Sequence, residues 1–426
     1  TSSSTGAFSF AIADGNIATV TGSTTTIVGA GSTLVTVTQA ADNNYNSAVA
    51  TMTLIIGKAT PVIVFNDVTK NSQDAAFNLT ATSSSTGAFS YSMTDGTVAT
   101  VTGSTTTIVG VGSTLVTLTQ VADDNYNSAV ATMTLTVNDS NSGLILYFDP
   151  NNVNSYSGSG STINDLSPNS LDGTLSNLSH NGSSFAFNGN DSQIRINDTG
   201  LLEPENTDYS FEVWVRFDVL QNSVILGKFN DGGGGGDLGY ALRLDGNSQV
   251  RLNVGKGTSA ANTQRFTATT NVWYHVVGAI DSSNDQLILY KDGAVFDNTT
   301  AFTSSVKNTS NPLYIGRYNG GEYAQNIDGD IGIVRIYNRA LSTSDVLQNY
   351  NQTKFNYAEL ASIPDQIYTG SAITVSPTLS FNGAALTEGV DYTSSYSNNT
   401  NPGTVSLTIT GIGSYVGSKT TQFSIT

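Results

Sequence analysis

Cysteine is absent from the 426 residues, histidine occurs twice, and Lys and Arg together number only 16. The first absence removes disulfides, thiolate metal sites and cysteine nucleophiles together. Modules of the sizes inferred below need no such staples. Two isolated histidines leave too little material for a zinc centre or a nucleophilic triad. Charge is scarce too: 12% of residues carry it, yet 33 acidic side chains leave the chain at −17. Nucleic acid is held by clustered Lys and Arg, so this balance argues against it as a partner. Divalent cations or a salty medium suit it. No run reaches about eighteen consecutive apolar residues, so no membrane-spanning helix is expected. Thr, Ser, Asn and Gly fill the space that charge leaves, giving a surface solvated by hydroxyls and amides under a mild acidic field.

The first stretch, TSSSTGAFSF, returns at residue 82 as TSSSTGAFSY. Residues 1–57 match residues 82–138 at a constant offset of 81, with 44 of 57 positions identical. Such self-similarity marks a tandem array. Each copy alternates with period two: Ala129, Ala131, Met133, Leu135 and Val137 interleave with Val130, Thr132, Thr134 and Thr136. The first set is expected to face a core and the Thr-rich set water, as in half-buried antiparallel strands. Asp95-Gly96, Gly103-Ser104 and Asp124-Asn125 mark turns. The second copy has a front half, residues 59–81, with expected strands around Val62–Phe65 and Ala76–Leu79. The first copy lacks it, so residues 1–57 read as a sandwich entered after its first two strands. Three explanations are open: a longer protein seen in part, a processed start, or a gap filled by a partner's strand. The first is preferred, because recent duplication commonly leaves more than two copies. A sandwich without those strands leaves a sheet edge uncovered.

These copies, above all GVGSTLVTLTQVADDNYNSAVATMTLTV, resemble bacterial immunoglobulin-like domains strung along cell-surface proteins. Tyr45 and Tyr126, just before the last strand of each, are expected to be corner tyrosines packing a loop. Residues 139–142 form a polar linker. Ten strand-bearing segments then follow, including YSFEVWVRF, YALRLDG, QVRLNVGKG, VWYHVVGAID and QLILYKDGAVFD. Lys291-Asp292-Gly293 predicts a hairpin turn. LSTSDVLQNYNQ is the one helical stretch, with Ser342 as N-cap and Asp345 three residues on. DLSPNSLDGTL, FNGNDSQIRI, WYHVVGAID, LYIGR and VRIYNRALS, in that order, resemble the laminin-G-like, concanavalin-type jelly roll over residues 143–352. Residues 359–426 resemble a different small immunoglobulin-like module of bacterial surface proteins. The expected class is therefore all-β: tandem immunoglobulin-like sandwiches (1–57 incomplete, 58–138 whole) and a second-type module (359–426) flanking a concanavalin/laminin-G-like jelly roll (143–352).

Glycoside hydrolases share the jelly-roll fold and need paired carboxylates. Within residues 143–352 only Glu203, Glu205, Glu212 and Glu322 occur, and none stands in a Glu-x-Asp-x-Glu or Glu-x-Asp-x-x-Glu run. Glu212 alternates with Phe211 and Val213, so it is expected on a polar face or paired with Arg. His275 reads as a packed strand residue and His180 as a loop residue. Trp214 and Trp273 read as packing residues of core strands. Calcium takes six to eight oxygen ligands, and is the cofactor the resemblance implies. It would join the first and last strands of the roll, bringing Asp149 near Asp328 and Asp330, although Gly332 and Ile333 stand where related sequences carry an acidic pair. Asp165 and Asp172 in NDLSPNSLDG are a second candidate set; the alternative is that these residues cap turns. For ligand recognition, RYNGGEYAQN offers Arg317, Tyr318, Tyr323 and Asn326 to stack on and hydrogen-bond a sugar. The loop with five glycines, Gly232–Gly236, reads first as a tolerated insertion.

The function expected from this architecture is a non-enzymatic, extracellular adhesin or surface-filament fragment of a bacterial cell surface. The repeats would serve as stalk and the jelly roll as a head for a glycan or surface protein. One alternative is a subunit of a filament or phage fibre on a virion surface, assembled from copies of itself by strand donation. The other is a carbohydrate-active enzyme.

Overall fold

The computed structural model describes residues 1–72, 74–139, 141–205, 207–257, 259–299, 302, 305–318 and 325–426, except residues 231–237. Regular structure in it is almost all β, as the period-two alternation requires. The chain divides into two compact units, Thr1–Ser140 and Asn141–Thr426.

In the first unit the second repeat is a two-sheet sandwich. Strands Phe89–Met93, Gly112–Gln120, Ala129–Asn138 and Val68–Asn71 form one sheet in that order, and Ala99–Thr102, Thr105–Ile108 and Phe77–Asn78 another. Val98, Val116, Met133, Leu135 and Val137 form the core between them. Two front strands lie within the expected segments, at Ile63–Val64 and Phe77–Asn78. Val68–Asn71 was not foreseen. Its sequence VTKN has no apolar alternation, and it is a strand because it runs parallel to Leu135–Asn138. Asp67 Oδ1 anchors its start by accepting from the Thr134 amide at 2.7 Å.

The first repeat builds the equivalent sheet from Phe8–Ile12, Gly31–Gln39 and Ala48–Ile56 in the same register. Among the described residues no strand beside Ala48–Ile56 corresponds to Val68–Asn71. The consequence is read at equivalent methionines: Met133 is 2% exposed and Met52 59%.

The repeated TSSST segment has a structural purpose in both copies. Asp123 accepts from Ser85 Oγ, the Thr86 amide and the amides of Asn125 and Tyr126, at 2.8–2.9 Å. Asp42 does the same for Ser4, Thr5, Asn44 and Tyr45. These donors hold both carboxyls well below the usual carboxylate range, chiefly the Asn44 amide for Asp42 and the Ser85 hydroxyl for Asp123. The corner is thus organised by the aspartate rather than by the tyrosine, which is half-exposed in the first copy.

In the second unit the jelly roll is two stacked sheets, and the last module adds two three-stranded ones. The first sheet centres on Asp328–Tyr337, Tyr209–Val219, Trp273–Asp281 and Gln286–Lys291, and the second on Gln193–Ile196, Leu313–Ile315, Ser223–Asn230, Leu238–Leu244 and Gln249–Gly255. Alternate residues meet between them: Phe211, Val213, Val215 and Phe217 against Tyr240, Leu242, Leu252 and Val254. Asp292 and Gly293 adopt positive φ at the predicted hairpin. The helix is Thr343–Thr353, with a complete capping box between Ser342 and Asp345.

The helix and the last module close the outer face of the first sheet. One apolar cluster runs from Trp214, Trp273 and Ile333 through Phe355 and Tyr357 into Leu379, Phe381, Val405, Leu407 and Phe423. Trp214 Nε1 donates to Thr353 Oγ1 at 2.8 Å. Asn382 brackets the Trp273 backbone, accepting from its amide at 2.8 Å and donating to its carbonyl at 2.9 Å. The two tryptophans are packing residues as expected, but they face away from the jelly-roll core and join it to residues 359–426. Replacing Trp273 by alanine is expected to loosen the last module, seen as faster amide exchange in Gly403–Gly411 while Leu238–Leu244 stays protected.

Candidate ligand-binding face

Glu212 points to the outer face of the first sheet, where helix Thr343–Thr353 covers it; it is 0% exposed. It accepts from Arg335 Nη1 at 2.9 Å and Asn349 Nδ2 at 2.7 Å, and meets His275 Nε2 at 3.0 Å. Burial alone would raise its pKa. The Arg335 charge and the His275 and Asn349 hydrogen bonds outweigh that and carry it to about 2. This ionised carboxylate has its partners inside the protein, and a polysaccharide has no path to it in this structure. Glu203 is bonded to the buried Lys228, which also meets Asp198 at 2.7 Å. Glu205 accepts from Asn308 at 3.2 Å, and Glu322 lies outside the described residues. His275 is a buried strand residue, as expected. His180 departs from its loop assignment: it stands in a short strand pairing with Phe185, with Tyr156 edge-on to its ring at 5.0 Å.

The acidic residues expected around calcium are dispersed among separate partners. Asp330 is buried against Arg216 at 2.5 Å and accepts from Asn181 at 2.8 Å and Ser184 at 3.0 Å. Burial raises its pKa against the opposing pull of Arg216. Asp328 is in register with Asn188 and Val219. Asp149 accepts from the Asn151 amide at 3.0 Å and Tyr147 Oη at 3.3 Å, and burial raises it also. Asp165 organises its loop by accepting from the amides of Tyr147, Ser167 and Leu171 and the Ser167 hydroxyl, at 2.7–2.9 Å. Asp172 caps the Asp165 amide at 2.9 Å. Among the described residues no three His, Asp or Glu side chains gather as a metal would need.

The residues expected to recognise a sugar are split. Arg317 reaches Gln193 at 3.4 Å, on the outer face of the second sheet. Tyr318 packs with Phe229, Val224 and Ala241 on that same face. Asn326 is buried and donates to the Asn190 carbonyl, so it braces the rim rather than facing outward. Tyr323 lies outside the described residues.

That outer face carries a row that the sequence reading missed. Register alignment places Thr174, Arg195, Tyr314, Gly227, Ala241, Asn253 and Asn262 side by side across seven strands. Gly227 and Ala241 form its middle, where a Cβ at Gly227 would come within 3.0 Å of Ala241 Cβ and Ala241 is buried with Phe229 and Tyr318. One step on, Arg243 stands opposite Arg251 across the Asp245-Gly246 turn. Arg265 lies beside them, held by Asp245 at 2.8 Å. Arg243 donates to Gln325 at 2.6 Å. Arg251 Nε and Asn253 Oδ1 are buried here without a hydrogen-bond partner among the described residues. The signal lay in LRLDGNSQVRL: a hairpin centred on its turn residues sets the two arginines opposite each other, outside the alternating leucines.

Residues 188–347 match the family described as the concanavalin A-like lectin/glucanases superfamily. The second unit therefore carries a concanavalin-like jelly roll in an all-β chain. No curated relative matches the chain. Among solved structures it is similar to domain 4 of AbnA, a GH43 extracellular arabinanase from Geobacillus stearothermophilus, in complex with arabinotriose. Identity there is 21% and the TM-score 0.38, over 48% of this chain and 96% of that one. It is similar also to the binding domain of botulinum neurotoxin DC in complex with SialylT, at 12% identity and TM-score 0.39, over 67% and 74%. A Trypanosoma rangeli sialidase matches at 21% identity and TM-score 0.36, over 48% of this chain and 32% of its own.

Proposed function

We propose that the chain is a non-catalytic, glycan-binding adhesion protein of an extracellular surface, in which the jelly roll binds and the repeats act as stalk. The observation that carries this reading is the contrast between the two outer faces. The first sheet is closed by the helix and the last module. The second is covered by neither, and carries a cross-strand row in which partly exposed Arg195 and Asn262 stand on either side of Tyr314 and Asn253, while Ala241 is packed with Phe229 and Tyr318. A flat array of amides beside a tyrosine is suited to sugar hydroxyls and the apolar face of a pyranose. The test is a broad glycan array probed with the full chain. Discrete glycans should be retained and Asn253→Ala should lose them at least tenfold with its melting transition intact; an array silent for the full chain overturns the reading.

A second reading, a filament subunit joined by strand donation, is favoured by the uncovered apolar side of the first repeat, where Met52 is 59% exposed. Sedimentation across a hundredfold concentration range tests it: growing polymers support it, and a monomer at every concentration removes it.

A further inference from the structure

With no cysteine in the chain, a covalent tie between its strands has to come from other side chains. The most deeply buried lysine among the described residues stands where such a tie has its reactants. Lys228 pairs with Tyr240 across two strands of the second sheet and so shares the face that Tyr240 turns to the core. It is 1% exposed. Its amine meets three oxygens: Asp198 Oδ1 at 2.7 Å, the nearer Glu203 Oε1, and the Thr309 carbonyl, to which it donates. Asp198 and Glu203 belong to the connection between Gln193–Ile196 and Tyr209–Val219, which passes from the second sheet to the first.

Taking an ammonium and carboxylates out of water is costly, and close pairing offsets the cost only where every charge is matched. Here one ammonium faces two carboxyls, so the charges do not balance. Burial raises the Glu203 pKa, Lys228 pulls it down, and the adjoining Asp198 carboxyl raises it again. The two acids differ in cover: the Glu203 side chain is 18% exposed and that of Asp198 35%. An amide between the amine and the better covered acid leaves no ion pair to desolvate, and its N–H keeps the Thr309 carbonyl as acceptor. Groups held in contact react as though at very high concentration, which favours a condensation that free amine and acid in water resist.

We propose that Lys228 and Glu203 join in an intramolecular amide, with Asp198 as the proton carrier. The Asp198 carboxylate takes one proton from the ammonium, and the freed lone pair attacks Cδ of the Glu203 acid. The Nζ–Cδ bond forms, a second proton passes from nitrogen to the departing hydroxyl, and the Cδ–O bond breaks to release water. Asp198, the more exposed acid, then gives its proton to solvent. Nothing is oxidised or reduced, and no co-reactant is needed. The product ties the connection between the sheets to a strand in the middle of the second sheet, closing residues 203–228 into a ring that no reductant opens.

The test is mass spectrometry of the full chain, whole and after unfolding and trypsin digestion. The whole chain should be lighter than its sequence by one water. Trypsin should fail to cut after Lys228, so that residues 217–243 appear as one peptide branched to residues 196–216, with fragmentation placing the branch at Glu203. Succinimide formation at an Asp-Gly pair also removes one water, so a missing water without the branched peptide overturns the proposal. A chain of full mass cut normally after Lys228 overturns it too, and a branch at Asp198 overturns the roles assigned to the two acids. Glu203→Ala should abolish the branch. Asp198→Asn, at a half-exposed position that the fold tolerates more readily, should slow its appearance in freshly made protein by about a hundredfold or more, as for loss of a positioned proton carrier; an unchanged rate removes Asp198 from the step.

Discussion

Glu212→Leu is expected to destabilise the second unit by about 3–5 kcal/mol, because it strands the Arg335 guanidinium in a buried site. Arg335 bonds Glu212 at 2.9 Å and stacks over Tyr147, with its charge centre 4.6 Å from the ring. His275 and Asn349 lose the same acceptor. Adding Arg335→Met should restore a large part of the loss, since replacing both members of a buried pair is far milder than removing one. Equilibrium denaturation of the parent, the two single variants and the double variant measures this, and a Glu212→Leu midpoint equal to that of the parent would contradict it.

The same group sets an acid limit. The folded Glu212 pKa, about 2, lies below the ordinary glutamate value of 4.5. A carboxyl depressed on folding contributes stability above its unfolded pKa and loses it as pH falls toward the folded one. The contribution is therefore complete above about pH 4.5 and declines between there and pH 2. Glu212→Gln should flatten that segment of the stability curve. If it leaves the slope unchanged, the acid sensitivity lies in other carboxylates.

What the sequence disclosed follows from where each rule operates. Alternation is a local property, so strands such as Ala129–Asn138 and Gln249–Gly255 and the capped helix at Ser342 could be read directly. Val68–Asn71 could not: its four residues VTKN owe their strand to a parallel partner 67 positions later. The fate of a sheet's outer face is equally non-local. Glu212 reads in sequence as a polar-face residue or an arginine's partner, and only the docking of the helix and of residues 354–425 shows that this face is interior. The arginine pair was legible in principle, because hairpin register is set by the turn. RYNGGEYAQN is the more conspicuous stretch, because aromatic and amide residues cluster there in sequence. The structure places Tyr318 in a small apolar cluster and uses Asn326 as a brace. Aspartates raised a similar difficulty, since the residue type that ligates calcium also caps turns, and Asp165 is fully occupied by loop donors.

The duplicated repeat permits a comparison that few proteins offer, the same substitution in the same local sequence under different cover. Met133→Ala is expected to cost about 2–5 kcal/mol, the range for emptying a packed methionine site. Met52→Ala should stay within about 0.5 kcal/mol, as for a surface change. Both methionines sit in the sequence AVATMTL and pair with a valine across the strand, Val116 or Val35. Propensity, strand register and cross-strand partner are therefore held constant. What differs is the front segment: Phe65, Val68, Phe77 and Leu79 border the core that contains Met133. Hydrogen exchange followed separately in Ala48–Ile56 and Ala129–Asn138 reads each site without assuming a single unfolding transition for the whole chain. Equal losses at the two positions would mean that the first repeat is covered in solution by something the isolated chain does not show. The expected inequality instead assigns the stability of the second repeat to residues 59–81, which supply little of its sequence pattern and much of its burial.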